Sequence, residues 1–374
     1  MKISANRHLT TLRLGLGVVI LLGSAPTWAT PEPLPQIANP DQHKPVNPIL
    51  FHIDADSGLS PNSYERNRLT LAQLTDQLKK QNILTSDSIA VIFPDFPEPF
   101  RDVFTKMIEG IEKQTKLKVR SFPIGEKFDA ADLNAQLKRN GTKVVIALGS
   151  RGLKISANFD RDISVVVGGI FSSIPEAESN RLLGISLTPD PALLFNMLRD
   201  LLPNVRRVIV IYNPQTSEWQ LKLARTAAKA QGLELITHEA HDLGTSGRMY
   251  ESVFATADSK TDAVWLPQDS STVDENTILP IILKESWNHS IPFFSSSFSH
   301  VKKGALFALQ PNNLELGRNL ANSALSILAG EPPKRGMSPL RDVQTAFNVR
   351  TASHIGLNIG EQQQRNFNYV FPEP

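Results

Sequence analysis

From residue 88 onward, short apolar runs alternate with amphipathic stretches, and no other feature constrains this chain so tightly. The runs fall at 89–93, 118–122, 144–148, 164–170, 208–212, 234–237, 263–266 and 292–295. Each ends in a polar or Gly/Pro turn, and an amphipathic stretch separates it from the next. Strands alternating with helices give parallel sheets with helices on both faces, an α/β architecture. In such sheets ligands sit beyond the carboxyl ends of the strands. The same pattern therefore names the fold class and says where to look for function.

The runs divide into two sets of about four strands at similar spacing. After the first set, Leu193, Leu194, Met197, Leu198 and Leu201 mark one face of a helix that Pro203 stops. A second series follows, with helices over 218–230 and 277–287. Residues 305–310 read as a further strand, and Asn312 caps a helix over 314–328. A chain that leaves one lobe, builds another and returns forms two lobes joined by a multi-strand hinge, a geometry suited to closing on a ligand. The expected division is 85–187 plus 304–333 for the first lobe and 188–303 plus 334–360 for the second. Residues 361–374 are expected to form a tail and 30–84 an N-terminal extension, flexible in part.

The N-terminus reads as an export signal. Lys2, Arg7 and Arg13 precede an apolar core from Leu14 to Leu22, and Ala25-Pro-Thr-Trp-Ala29 offers a small-residue cleavage site, so cleavage after about Ala29 is expected. The apolar run is short of the roughly 20 residues of a spanning helix. Removing three of the 39 basic residues with the signal leaves 36 against 37 acidic ones. No basic field remains to attract nucleic acid. Cysteine is absent, which excludes disulfides, thiolate metal sites and a cysteine nucleophile. A soluble periplasmic protein, monomeric and without a cofactor, is the expectation.

Candidate ligand contacts lie at the strand ends. In the first lobe these are Ser150, Arg151, Phe171 and Ser172. Gly149 would let backbone N–H groups approach a ligand, the start of the helix expected from about Gly152 would favour a carboxylate there, and Arg151 would add a bidentate contact; Ser150 as a plain cap and Arg151 as a solvated side chain is the bland alternative. Phe171 either stacks on a ring or fills the hinge. In the second lobe the candidates are Tyr212, Asn213, Gln215, Asp269, Ser270 and Ser295, with Gln310 beside the hinge. Asn213 has a turn role as its alternative. Asp269 would pair with a ligand ammonium, or else cap with Ser270 and Ser271. His238-Glu-Ala-His241 is not the zinc-protease helix, and Asp54-Ala-Asp-Ser-Gly58 lacks the later ligands of a calcium loop. No nucleophile elbow, P-loop or dinucleotide fingerprint appears after the signal, so no metal site and no catalysis are expected.

Several stretches carry a resemblance. They are Val144-Val-Ile-Ala-Leu-Gly-Ser150, Leu202-Pro-Asn-Val-Arg-Arg-Val-Ile-Val-Ile-Tyr-Asn-Pro214, Asp262-Ala-Val-Trp-Leu-Pro-Gln-Asp269, Gly304-Ala-Leu306, Ile327-Leu-Ala-Gly-Glu-Pro-Pro333 and Phe347-Asn-Val-Arg-Thr-Ala-Ser-His-Ile-Gly-Leu357. In order and spacing over 88–360, the chain resembles the periplasmic substrate-binding proteins of ABC importers, in the subfamily related to tryptophan and tyrosine binders. The resemblance implies two Rossmann-like lobes, the type I periplasmic-binding fold, with the ligand in the cleft and a membrane permease as partner. It implies no enzyme activity. One departure stands out: where the family usually carries Asp-Pro after the fourth strand, this chain reads Gly169-Ile-Phe-Ser-Ser-Ile-Pro175.

The expected function is capture of a small polar ligand, an amino acid or similar, for an ABC-type import system. The alternative is a ligand sensor or adaptor on the same fold that signals to a membrane protein.

Overall fold

A computed structural model describes residues 73–98, 100–126, 128–171, 182–331 and 335–372. The export signal, the Asp54–Gly58 turn and Ser172 lie outside these residues. Two sheets organise the rest. The first holds β1 (Ile89–Pro94), β2 (Arg120–Ile124), β3 (Val144–Leu148), β4 (Ser164–Ile170), β5 (Leu183–Pro189) and β11 (Gly336–Leu340), in the order β11-β5-β4-β3-β1-β2. All neighbours in it are parallel. The second holds β6 (Arg207–Tyr212), β7 (Glu234–Glu239), β8 (Asp262–Leu266), β9 (Phe293–Ser295), β10 (Phe307–Pro311), β12 (Val343–Asn348) and β13 (Tyr369–Phe371), in the order β13-β12-β10-β9-β8-β6-β7. Here β10 and β12 are antiparallel, and the other neighbours are parallel.

The period-2 geometry of a strand sorts the apolar runs onto opposite faces. In β1, Ile89 and Val91 enter one core cluster while Ala90 and Ile92 enter another. In β6, Val208, Val210 and Tyr212 face one side, and Ile209 and Ile211 the other. Strands buried on both faces read as continuous hydrophobic runs, which is why they were legible in the sequence. Both lobes repeat one strand order: β2-β1-β3-β4-β5 in the first and β7-β6-β8-β9-β10 in the second. In each, the order reverses between the first and third strands, leaving a crevice at their carboxyl ends.

Three passages join the lobes. They run from β5 into helix Pro191–Leu201, from β10 into helix Asn313–Leu328, and from β11 into β12. Asp190 and Asn312 cap the two helices, accepting from the N–H groups of Ala192 and Glu315. The passages also bond to one another: the Asp190 N–H donates to the Leu340 carbonyl (2.8 Å) and the Asn312 N–H to the Asp342 carbonyl (3.0 Å). The Asn319 amide donates to the Asp342 carboxylate. Every passage attaches at the carboxyl end of β5, β10 or β11, or opposite Pro311 at the start of β12. The strand tips of both sheets therefore lie on the hinge side.

Parts of the expected division are corrected. β10 belongs to the second sheet, not the first lobe, because it pairs with β9 and β12 before the chain crosses at Asn312. β11 belongs to the first sheet, because it pairs with β5. β5 itself runs to Pro189. The C-terminal residues are no tail: β13 pairs with β12, and Phe367 stacks on Phe347 with ring centroids 4.4 Å apart. Residues 73–80 are helical, and Leu78 and Leu84 join the first-lobe core, so that part of the extension is built into the lobe.

Candidate functional site

The two reversal points occupy the same place in their sheets but differ in chemistry. In the second lobe, the crevice between the tips of β6 and β8 is filled by the protein's own carboxylate. Asp269 is 6% exposed. It accepts from the Asn213 and Ser271 N–H groups and from the hydroxyls of Thr216, Ser217 and Ser271, over 2.5–3.1 Å. A carboxylate has about four lone-pair sites, so five donors saturate it. Burial alone would raise its pKa. The bonds from Ser271, Thr216 and the Asn213 amide outweigh burial and hold the carboxyl below the usual range. The contact with a ligand ammonium expected of Asp269 has no free acceptor in this conformation.

Asn213 is likewise engaged. Its side-chain Oδ1 accepts from the Gln215 N–H (3.0 Å), capping helix Pro214–Ala230, and its side-chain Nδ2 donates to the Ser271 hydroxyl (3.1 Å). Tyr212 is a core residue. Its hydroxyl lies within 3.3 Å of Glu218, Glu239 and Arg225, and burial, followed by the Glu218 charge, raises its pKa. Ser295 is fully buried; its oxygen accepts from the Ser297 N–H (2.9 Å) and lies 2.8 Å from Nδ1 of His300. Nε2 of that His faces Glu275 at 3.9 Å. Sequence spacing missed this serine–histidine–glutamate line. Burial keeps the Ser295 hydroxyl away from any substrate, and burial is also the main cause of the lowered His300 pKa. Gln310 pairs with Gln344 across β10 and β12 at 3.1 Å.

Gln215 and Ser270 keep exposed side chains on the same two loops, and so does Gln268, which the sequence reading passed over. Its only signal was its place between Pro267 and Asp269 at a strand end.

In the first lobe, the crevice between β1 and β3 is lined differently. Gly149 has φ +71, and a Cβ there would come within 2.8 Å of Cγ of Pro94, so glycine is required for the close approach of the two tips. Helix Gly149–Ser156 begins at Leu148 with no side-chain cap. Its first N–H groups are thus free of the competition that Asn213 provides in the other lobe. Ser150 is exposed and Arg151 half-buried. The Arg151 guanidinium donates to the Ile124 carbonyl (3.3 Å) and stands 5.5 Å from the centroid of Phe96, leaving most of its donors unused. Phe96 and Phe171, both large and apolar, are 37% and 50% exposed. A cavity of about 360 Å³ near Ser164, Leu183 and Arg335 lies at the opposite, amino edge of this sheet and does not reach the tips. Among the described residues no helix is long and apolar enough to cross a membrane.

A family model described as "ABC transporter substrate binding protein" matches residues 107–363. No curated protein sequence matches the chain. Among solved structures, the ligand-free, open form of a substrate-binding protein with adhesive properties from Clostridium difficile is 18% identical. The alignment covers 76% of this chain and 99% of that one with a TM-score of 0.55, a likeness of fold. An ABC domain in complex with L-Trp from Streptococcus pneumonia is also 18% identical over the same shares, with a TM-score of 0.48. With a match over most of its length, two lobes of one strand order and a three-passage hinge, the chain belongs to the ABC transporter substrate-binding protein family, whose members bind solutes.

Proposed function

We propose that the protein, exported and cleaved after about Ala29, captures a small carboxylate-bearing solute between its lobes and delivers it to an ABC permease. One observation carries the ligand class: the first-lobe crevice combines helix N–H groups without a side-chain cap, the unused donors of Arg151 and the exposed rings of Phe96 and Phe171. A carboxylate is stabilised at such a helix start and by an Arg fork. The rings suit an aromatic or flat apolar group. Amino acids and their 2-hydroxy counterparts meet both demands. Closure is a population shift, because contacts to both lobes exist only when the tips approach.

The test is a thermal-shift and calorimetric panel on the mature protein. It holds L-phenylalanine, L-tyrosine, L-tryptophan, the 2-hydroxy acid of each, and L-leucine. At least one aromatic acid is expected to raise Tm with the logarithm of its concentration. Arg151→Ala should weaken it about tenfold or more, as befits a charged hydrogen bond. Full affinity in Arg151→Ala and Phe171→Ala together would reject the placement.

A further inference from the structure

The second lobe must also contribute contacts, and the residues that sequence reasoning chose for this are mostly committed elsewhere. Asn213, Asp269 and Ser295 are buried and bonded within the lobe, and Tyr212 belongs to its core. The side chains that remain exposed, with no partner among the described residues, are Gln215, Gln268 and Ser270. They stand on the two loops that Asp269 ties together.

We infer that Gln215, Gln268 and Ser270 form the ligand-contacting wall of the second lobe, and that Asp269 is the positioning residue that sets it. The inference rests on the proposed ligand reading. Its mechanical part is local. Asp269 Oδ2 collects the Asn213 N–H and the Thr216 and Ser217 hydroxyls from the start of helix Pro214–Ala230, while Oδ1 collects the N–H and hydroxyl of Ser271. The Asn213 amide closes the loop by donating to Ser271. Two tips that could otherwise move independently are thus held in one register, with Gln215 on one and Gln268 and Ser270 on the other. The wall is uncharged. It offers amide and hydroxyl groups, which act as donors or acceptors, so the part of the ligand that meets it carries a hydrogen-bonding group, such as the amine or hydroxyl beside the carboxylate.

Asp262 supplies the control. It sits at the other end of β8, fully buried, and pairs with Arg207 through two bonds of 2.5–2.6 Å. It is as deeply embedded as Asp269 but lies at the amino edge of the sheet.

The experiment compares Asp269→Asn, Asp262→Asn, Gln215→Ala, Gln268→Ala and the double variant Asp269→Asn with Gln215→Ala. Calorimetry uses whichever aromatic acid of the panel binds the native protein best, and amide hydrogen exchange follows each variant without ligand. Gln215→Ala and Gln268→Ala should each weaken binding about fivefold to tenfold with unchanged Tm. Asp269→Asn should weaken it at least tenfold and speed exchange at 213–217 and 269–272. In its background, Gln215→Ala should cost less than twofold, because the wall is already displaced. Asp262→Asn should lower Tm but leave affinity within twofold. Should Asp269→Asn fail to fold, Ser271→Ala keeps the carboxylate, breaks the link to Asn213 and should weaken binding about threefold.

Additive losses, unchanged affinity in Asp269→Asn, or equal losses in Asp262→Asn would overturn the positioning role. Native affinity in both glutamine variants would overturn the wall. If no panel member binds the native protein, the ligand reading falls and the wall falls with it, while the exchange arm still decides whether Asp269 holds the loops.

Discussion

Replacing Gly317 by alanine tests the packing of the first lobe with a reversed sign. On an exposed helix face this change stabilises by about 1 kcal/mol, because alanine is the better helix former. Here helix Asn313–Leu328 crosses helix Phe100–Thr115 with a glycine on each side of the contact. A Cβ on Gly317 would lie 2.8 Å from the carbonyl carbon of Met107 and 3.0 Å from its Cα. A Cβ on Gly110 would lie 3.0 Å from the carbonyl carbon of Leu314. The obstacle is backbone in both cases, so no side chain can swing away.

Carbon atoms rest about 3.5–4.0 Å apart, so the helices must part by about 1 Å. A gap of that size forfeits about a quarter to a half of each contact's well of about 0.1–0.2 kcal/mol, and over about thirty atom pairs the loss is about 2 kcal/mol. Strain that opening does not relieve brings the gross cost to about 2–4 kcal/mol, within the usual scale of overpacking at its lower end. Subtracting the helix-propensity gain leaves a net loss of about 1–3 kcal/mol. At about 2–4 °C per kcal/mol for a domain of this size, Tm should fall by about 4–8 °C for a 2 kcal/mol loss. Urea denaturation should show a lower midpoint with an unchanged m-value. A Gly317→Ala protein as stable as the native one, or more so, would refute the close crossing.

Two further outcomes follow. Gly149→Ala forces a Cβ into positive φ and against Pro94 at the first-lobe crevice, and should cost about 1–2 kcal/mol together with a severalfold loss of affinity for the aromatic acids, read by denaturation and calorimetry. Burial lowers the pKa of His300 below its ordinary 6.5, so the unfolded chain binds the extra proton first; stability should be fully present above about pH 6.5 and decline as pH falls toward the folded pKa, and His300→Gln should flatten the slope of a Tm–pH profile in that window.

The fold was legible because both sheets bury both faces. Runs such as Val144–Leu148 and Ser164–Ile170 coincide with the observed strands. Arg120–Ile124 begins two residues later than the apolar reading placed it, because an edge strand with a half-exposed face lacks the continuous signal. The hinge was harder. Nothing local tells β11 which sheet to join; that is decided by pairing with β5, far away in sequence, whereas β10 stays beside β9, the strand just before it. The site was legible as a set of loops, not as side chains. Strand ends located the loops, but whether Asp269 meets a ligand or donors of its own lobe depends on hydroxyls contributed by another loop, at 216 and 217.

That contrast bears on how the lobes divide their work. A buried carboxylate that is fully bonded within its own lobe makes a rigid surface, since displacing any donor strands a group in a low-dielectric setting. The second lobe has spent its one deeply buried tip carboxylate on internal order. The first lobe leaves its helix start without a side-chain cap and its guanidinium mostly unused. In the proposed binding reaction, then, the charged end of the ligand goes to the first lobe, where unmet donors await an acceptor, and the second lobe reads what remains. The two halves repeat one topology but load their tips differently: beyond β8 stands Asp269, a carboxylate whose acceptors are all taken within its own lobe, and beyond β3 stands Arg151, a guanidinium with most of its donors unused.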